Sequence, residues 1–208
     1  MHVAFDMDGV LLDSESDLSW LDRALTETLS AFDVEATHSN RQLLHPTNLR
    51  DFDAAAKALD IPAEQLWPVR HRAYVGEKTA AIRSGEIGPF GDIDELHPLA
   101  EAVPISIISN SPESVVETFV DAAGLDDIID HRIGRGPNRE AVESMKPATD
   151  FFDRLEEATG ASEYVYVGDN TTDALFASRT GMTFVHLDRD GGAVTSLSEV
   201  RNRIEDVR

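Results

Sequence analysis

Apolar positions follow two spacings along the chain. Residues 3–5 form a short apolar run that ends in Asp6-Met7-Asp8-Gly9, and apolar residues resume at Val10, Leu11 and Leu12. A run of that length, closed by polar residues and glycine, predicts a buried strand. From residue 14 to about residue 84 the spacing is helical. Leu18, Leu21, Leu25 and Leu29 recur at one-turn intervals, and residues 54–59 are strong helix formers. Pro46, Pro62 and Pro68 divide this stretch into several helices, and no strand is expected within it.

The pattern changes at residues 85–91, Gly-Glu-Ile-Gly-Pro-Phe-Gly, which read as a return linker. Strands and helices then alternate. Strands are expected at residues 105–108, 128–131, 164–167 and 183–187. Helices are expected from Ser109 to about Ala123, from Pro147 onward, after Asp169 to Arg179, and from Leu197 to Val207. Alternation of this kind predicts a mostly parallel sheet covered on both faces. The expected fold is therefore α/β: a doubly wound, Rossmann-like core formed by residues 1–14 and 86–208. An all-helical cap, residues 15–85, is inserted into it.

Composition narrows the function. The 208 residues carry 18 cationic and 39 acidic side chains, a formal charge of −21. Such a surface repels nucleic acid and disfavours a polybasic membrane-surface protein. Without cysteine there is no disulfide scaffold, thiolate zinc site or thiol nucleophile. No apolar run has the length of a membrane span. The opening residues lack the charged and apolar regions of a signal peptide, so a cytoplasmic protein is expected. Only Lys57, Lys78 and Lys146 are lysines; the other cations are arginines. Abundant acid with scarce lysine matches proteins from organisms that keep molar salt in the cytoplasm, where salt screens self-repulsion.

Ligands of open α/β sheets bind outside the carboxyl ends of the strands. Three expected strands end in polar residues: Asp6 and Asp8, then Ser109 and Asn110, then Asp169 with Asp173 following. Lys146 precedes an expected helix. In a parallel sheet these groups meet at one edge. Converging carboxylates repel one another unless a cation relieves them, and an all-oxygen set suits Mg²⁺. Carboxylate, hydroxyl, lysine and a hard metal together fit phosphoryl transfer.

Four motifs in order resemble those of the haloacid dehalogenase superfamily. They are residues 6–14 (Asp-Met-Asp-Gly-Val-Leu-Leu-Asp-Ser), residues 107–110 (Ile-Ile-Ser-Asn), Lys146-Pro147 with Phe151, and residues 168–173 (Gly-Asp-Asn-Thr-Thr-Asp). The resemblance implies a role for each. Asp6 would be the nucleophile and a metal ligand. Asp8 would be the general acid/base, with its main-chain carbonyl on the metal. Gly9, Ser109, Asn110 and Lys146 would hold the phosphoryl group. Asp169 would ligate the metal, and Asp173 would support Lys146 or a metal-bound water. An acid two residues after the nucleophile is absent from the dehalogenases of this superfamily, so Asp8 favours phosphoryl transfer over C–halogen cleavage.

The resemblance implies a Mg²⁺-dependent phosphatase for a small phosphorylated metabolite, with phosphoglycolate a candidate by family analogy. It leaves open a phosphosugar mutase of the β-phosphoglucomutase type and, less favoured by the inserted cap, a phospho-aspartate regulatory domain. In the cap, Arg50 is a candidate for the substrate's far end, and His71 is a weaker one. Trp20 and Trp67 read as core residues. Asp13, Asp17, Asp126, Asp127 and Asp153 read as solvated surface acids. A monomer is compatible with the sequence.

Overall fold

A computed structural model of the chain describes residues 1–207. In chain order the elements are β1 (His2–Phe5), β2 (Leu12–Asp13), α1 (Ser19–Ser30), α2 (His38–Gln42), α3 (Leu49–Ala58) and α4 (Ala63–Ser84). They continue with β3 (Gly88–Pro89), α5 (Leu96–Ala100), β4 (Ile105–Pro112), α6 (Glu113–Ala122) and β5 (Ile129–Arg135). The last are α7 (Asp150–Thr159), β6 (Tyr164–Gly168), α8 (Thr171–Thr180), β7 (Thr183–His186) and α9 (Leu197–Val207).

Five strands form one parallel sheet in the order β5-β4-β1-β6-β7. The first strand is central because the chain builds outward on one side, through β4 and β5, before returning to the other. That reversal beside β1 opens a crevice at the carboxyl ends of β1, β4 and β6, where ligands of such sheets bind. Side chains alternate between the faces. Val3, Phe5, Ile105, Ile107, Val165 and Val167 pack with α5, α6 and α9. Ala4, Ile108, Tyr164 and Tyr166 pack instead with Phe151 and Leu155 of α7 and Phe176 and Ala177 of α8. Both faces are apolar and covered, which explains the continuous apolar runs of the sequence.

The stretch between β2 and β3 is helical. Leu25, Leu29, Leu44, Phe52, Leu66 and Trp67 form its own core, joined by Val142 of the sheet domain. Its entry and exit are stitched together by the antiparallel pair β2–β3, with Leu12 opposite Pro89 and Asp13 opposite Gly88. The sequence reading contains no such ribbon, because two-residue strands are too short to show a period. The cap rests on the core: Trp67 Nε1 donates to the Pro137 carbonyl at 2.8 Å, and the Leu49 amide donates to Glu143 Oε1 at 2.7 Å.

Three boundaries differ from expectation. The strand β4 runs on to Pro112, through a register shift after Ile108, so the helix begins at Glu113 rather than Ser109. The strand β5 extends to Arg135, because Ile133 and Arg135 turn inward beyond the charged residues 130–132 that masked its pattern. The helix expected at Pro147 begins at Asp150. Before it, the Asn110 side chain holds the Lys146 main chain at both polar groups, at 2.7 Å and 3.2 Å, outside a helix. Among the described residues, no helix is long and apolar enough to cross a membrane.

Candidate active site

The centre of the site is a buried triangle. Asp6, first after β1, is placed by its amide, which donates to the Val167 carbonyl of β6 at 2.8 Å. Its Oδ1 lies 2.8 Å from Lys146 Nζ and accepts from the Met7 amide at 2.8 Å. Lys146 Nζ also donates to Asp173 Oδ1 and to Tyr166 Oη, each at 2.7 Å. Tyr166 Oη is 3.2 Å from both Asp173 Oδ1 and the Ile108 carbonyl. Asp173 Oδ2 accepts from the Asp169 amide at 3.2 Å. Lys146 and Asp173 are fully enclosed, so the ammonium holds its charge only because two acids face it. Burial works against that charge, but Asp6 and Asp173 outweigh it and hold Lys146 above its ordinary value.

Asp169 sits at the end of β6. Asn170 donates to its Oδ1 at 2.8 Å, while the Asn170 Oδ1 caps α8 through the amides of Thr172 and Asp173, at 2.8 and 3.1 Å. Gly9 passes directly over this carboxylate with φ of 76°, and a Cβ there would collide with the Asp169 side chain. Only glycine satisfies both the left-handed conformation and the close approach. Gly168 is constrained in a similar way, since a Cβ on it would run into Asp173.

Carboxylate oxygens of Asp6, Asp169 and Asp173 fall within 4.8 Å of one another. Burial pushes the Asp6 carboxyl well above its ordinary value; Asp173 and Asp8 add repulsion, against the pull of Lys146. Burial and Asp173 raise Asp169 to about 6. A cation at the point these carboxylates share would relieve their repulsion. The donors are all hard oxygens, so the residues fit a Mg²⁺-type cation.

Asp8 faces elsewhere. Its Oδ1 pairs with Lys78 Nζ of α4 and accepts from Ser14 Oγ at 2.7 Å, while its Oδ2 accepts from Ser111 Oγ at 2.8 Å. Lys78 itself is buried, 3.0 Å from Ser111 Oγ, with its ammonium 5.0 Å from the Trp20 ring centre. Burial opposes ionisation of Asp8, but Lys78 and the two serines outweigh it and hold the carboxyl below its ordinary value. The Asp8 side chain is therefore outside the Asp6–Asp169–Asp173 cluster.

Ser109 is buried and accepts from the Ser111 amide at 3.0 Å. A cavity of about 210 Å³ is lined by Asp6, Asp8, Ser109, Asn110, Lys146, Asp169 and Asp173. The structure thus brings together these seven expected residues, with Gly9 alongside Asp169. Arg50 is exposed on α3 and lines neither this cavity nor its neighbour beneath the cap. His71 is partly buried on α4 against the Trp67 ring. Sequence reasoning missed Tyr166, Ser111 and the partnership of Lys78 with Asp8. The scarcity of lysine was the signal that could have found Lys78.

A sequence model of the haloacid dehalogenase-like hydrolases matches residues 3–187. No curated protein matches the chain by sequence. Among solved structures, CbbY from Rhodobacter sphaeroides in complex with phosphate superposes with a TM-score of 0.66 at 20% identity, over 93% of this chain and 87% of that one. A predicted phosphoglycolate phosphatase from Haemophilus somnus gives 0.64 at 21% identity, over 89% and 84%. A haloacid dehalogenase-like hydrolase family protein from Streptococcus pneumoniae gives 0.63 at 18% identity, over 97% and 89%. At these identities the superpositions speak to the fold. The match over most of the chain speaks to descent, and the chain belongs to the haloacid dehalogenase-like hydrolase family.

Proposed function

We propose that the chain is a phosphoric monoester hydrolase acting on a small phosphorylated metabolite, with Asp6 as nucleophile. The observation that carries this reading is the convergence of Asp6, Lys146, Ser109, Asn110 and Asp169 on one small cavity at the carboxyl ends of three adjacent strands. Two structural relatives described as predicted phosphatases, and a third solved in complex with phosphate, support it.

Asp6 attacks phosphorus, the ester P–O bond breaks, and the departing alcohol oxygen takes a proton from Asp8. Water then attacks the aspartyl-phosphate and gives a proton to Asp8, which releases phosphate and restores Asp6. Lys146 holds the Asp6 carboxylate and places a positive charge beside the phosphoryl oxygens. Ser109 and the Asn110 amide supply donors to them. Asp8 ionised by Lys78 is in the form that accepts a proton from water; to act as acid it must first leave Lys78 and take up a proton from solvent. The cap covers the crevice and limits competing water. Asp6 and Asp169 would hold a Mg²⁺. Asp173, whose oxygens are engaged by Lys146, Tyr166 and the Asp169 amide, would brace them. Asp8 would contribute through its main-chain carbonyl alone. When bound, the metal would neutralise charge on the phosphoryl oxygens. The acidic, lysine-poor composition supports the reading of a protein that works in a cytoplasm of high salt.

The test is phosphate release from a panel of phosphorylated metabolites in molar KCl, with Mg²⁺ and with chelator, and with Asp6→Asn as blank. Metal-dependent release lost in the variant is expected. A folded protein that moves phosphate between sugar hydroxyls without releasing it would be a mutase, and one that transfers nothing would overturn the reading.

A further inference from the structure

A second cavity of about 210 Å³ lies under the cap, lined by His45, Trp67, Arg70, Tyr74, Asn110 and Arg135, among others. It carries two buried guanidiniums. Arg70 comes from α4 of the cap and is 9% exposed; Arg135 comes from the end of β5 and is 4% exposed. Among the described residues, neither forms an ion pair with a carboxylate. The Arg70 Nε donates to the Leu44 carbonyl at 2.7 Å, and the one hydrogen bond of Arg135 runs to the Gly136 carbonyl at 3.5 Å. Both guanidiniums approach the indole of Trp67, with Arg70 Cζ 5.8 Å and Arg135 Cζ 5.0 Å from its ring centre. Burial and the neighbouring Arg135 push Arg70 down to about 10, and burial lowers Arg135 as well.

Two like charges withdrawn from water without a counter-charge are expensive. The expense is notable in a chain with 39 acids and 18 cations, which could have supplied a carboxylate here. Arginine forks are suited to binding carboxylate or phosphate with two hydrogen bonds, and an anion between them would relieve the repulsion. Placement matters equally. Asn110 lines both this cavity and the one holding Asp6 and Lys146. Arg70, Tyr74 and Lys78 lie at one-turn intervals on the same face of α4, so Arg70 stands about 12 Å along the helix axis from the lysine that pairs with Asp8. A single small molecule can lie across Asn110, with one end at Asp6 and the other between the arginines.

We propose that this cavity is a second anion subsite, and that the substrate is a phosphomonoester bearing a further anionic group at its far end. Arg70 and Arg135 grip that group, one from the cap and one from the core, so that binding draws the cap onto the sheet. This assignment rests on the phosphatase reading of the Asp6 site. It also differs from the expectation for Arg50, which is exposed away from both cavities.

The experiment compares matched esters with the wild-type protein in molar KCl and Mg²⁺. Phosphoglycolate is set against hydroxyethyl phosphate, and propanediol bisphosphate against propanediol monophosphate. At least one charged ester is expected to exceed its neutral partner in kcat/KM by about 10- to 100-fold, the size of a charge-assisted hydrogen-bond pair. Preference in the first pair identifies a carboxylate, and in the second a phosphate. In Arg70→Gln and Arg135→Gln the ratio of charged to neutral ester falls toward one, through KM. Hydrolysis of charged and neutral esters at equal kcat/KM overturns the subsite while leaving the phosphatase intact. So does a preference that survives in a folded Arg135→Gln. If no ester is hydrolysed, the phosphatase reading fails instead. Calorimetry with Asp6→Asn then decides the subsite separately, and equal affinity for phosphoglycolate and hydroxyethyl phosphate overturns it. Should Arg70→Gln not fold, because its bond to Leu44 is lost, the wild-type ratio and Arg135→Gln still decide.

Discussion

Lys78 reaches from the cap to Asp8, so one ion pair links the position of the cap to the protonation of the proposed acid/base. Burial alone would drive the lysine to lose its proton, but Asp8 and the Tyr74 hydroxyl outweigh that and hold it charged. In Lys78→Met, Asp8 keeps only its serine partners, and its pKa rises. As pH falls, the ionised form is then lost at a higher pH. We expect kcat to fall about 10- to 100-fold, in the range of a misplaced general acid/base, and the acid limb of the pH–rate profile to move upward. An unchanged acid limb, measured by steady-state phosphate release, would show that Lys78 merely fills space. Residues of this kind explain what the sequence left illegible at the site. Asp6, Ser109, Lys146 and Asp169 were readable because each closes an apolar run or stands in a motif of fixed local spacing. Lys78 and Asp8 meet across 70 positions of sequence, and nothing local marks the pair. Tyr166 was hidden in the same way, since a tyrosine within an apolar strand looks like core until its hydroxyl is seen on Lys146.

At the level of elements, the sheet was legible because parallel strands covered on both faces are apolar throughout. The charged start of β5 and the two-residue ribbon β2–β3 were not, one for lack of apolar residues and one for lack of length. The sheet carries a pH dependence of its own at the opposite end from the site. His2 of β1 is buried, with its Nε2 2.7 Å from Ser106 Oγ of β4. Burial lowers its pKa from 6.5 to about 4; His131 and the amino terminus push the same way, against Asp130. The native ring is therefore neutral at a pH where the unfolded chain takes up a proton. Its contribution to stability is intact above pH 6.5 and is lost progressively as pH falls toward 4. His2→Gln keeps a group able to bond Ser106 and removes the titration. Chemical denaturation from neutral pH down to about 4.5 should show the wild type losing stability more steeply than the variant. Parallel curves would mean that the ring is protonated in the native state.

Across the whole molecule, opposing electrostatic terms must be weighed. Surface pairs such as Arg23 with Glu77 and Glu86, or Arg201 with Glu95, are partly exposed, contribute little, and are weakened by salt. Against them stands a net charge of −21, so most of the excess acids have only other acids to face. Their repulsion acts over roughly 10 Å in 0.1 M salt and over about 3 Å in 1 M salt. The excess is larger than the set of pairs, so relief of repulsion should win. The enclosed pairs Lys146–Asp6 and Lys78–Asp8 are shielded from solvent on the lysine side and should respond little to salt. We therefore expect the thermal midpoint to rise continuously between about 0.1 M and 2 M KCl. Sucrose at matched osmolality strengthens burial without screening charge and should give a smaller rise. A midpoint that falls or stays level in KCl would mean that the surface pairs outweigh the net charge. Lysine scarcity would then be unrelated to salt. An equal rise in sucrose would assign the effect to exclusion from the surface rather than to charge.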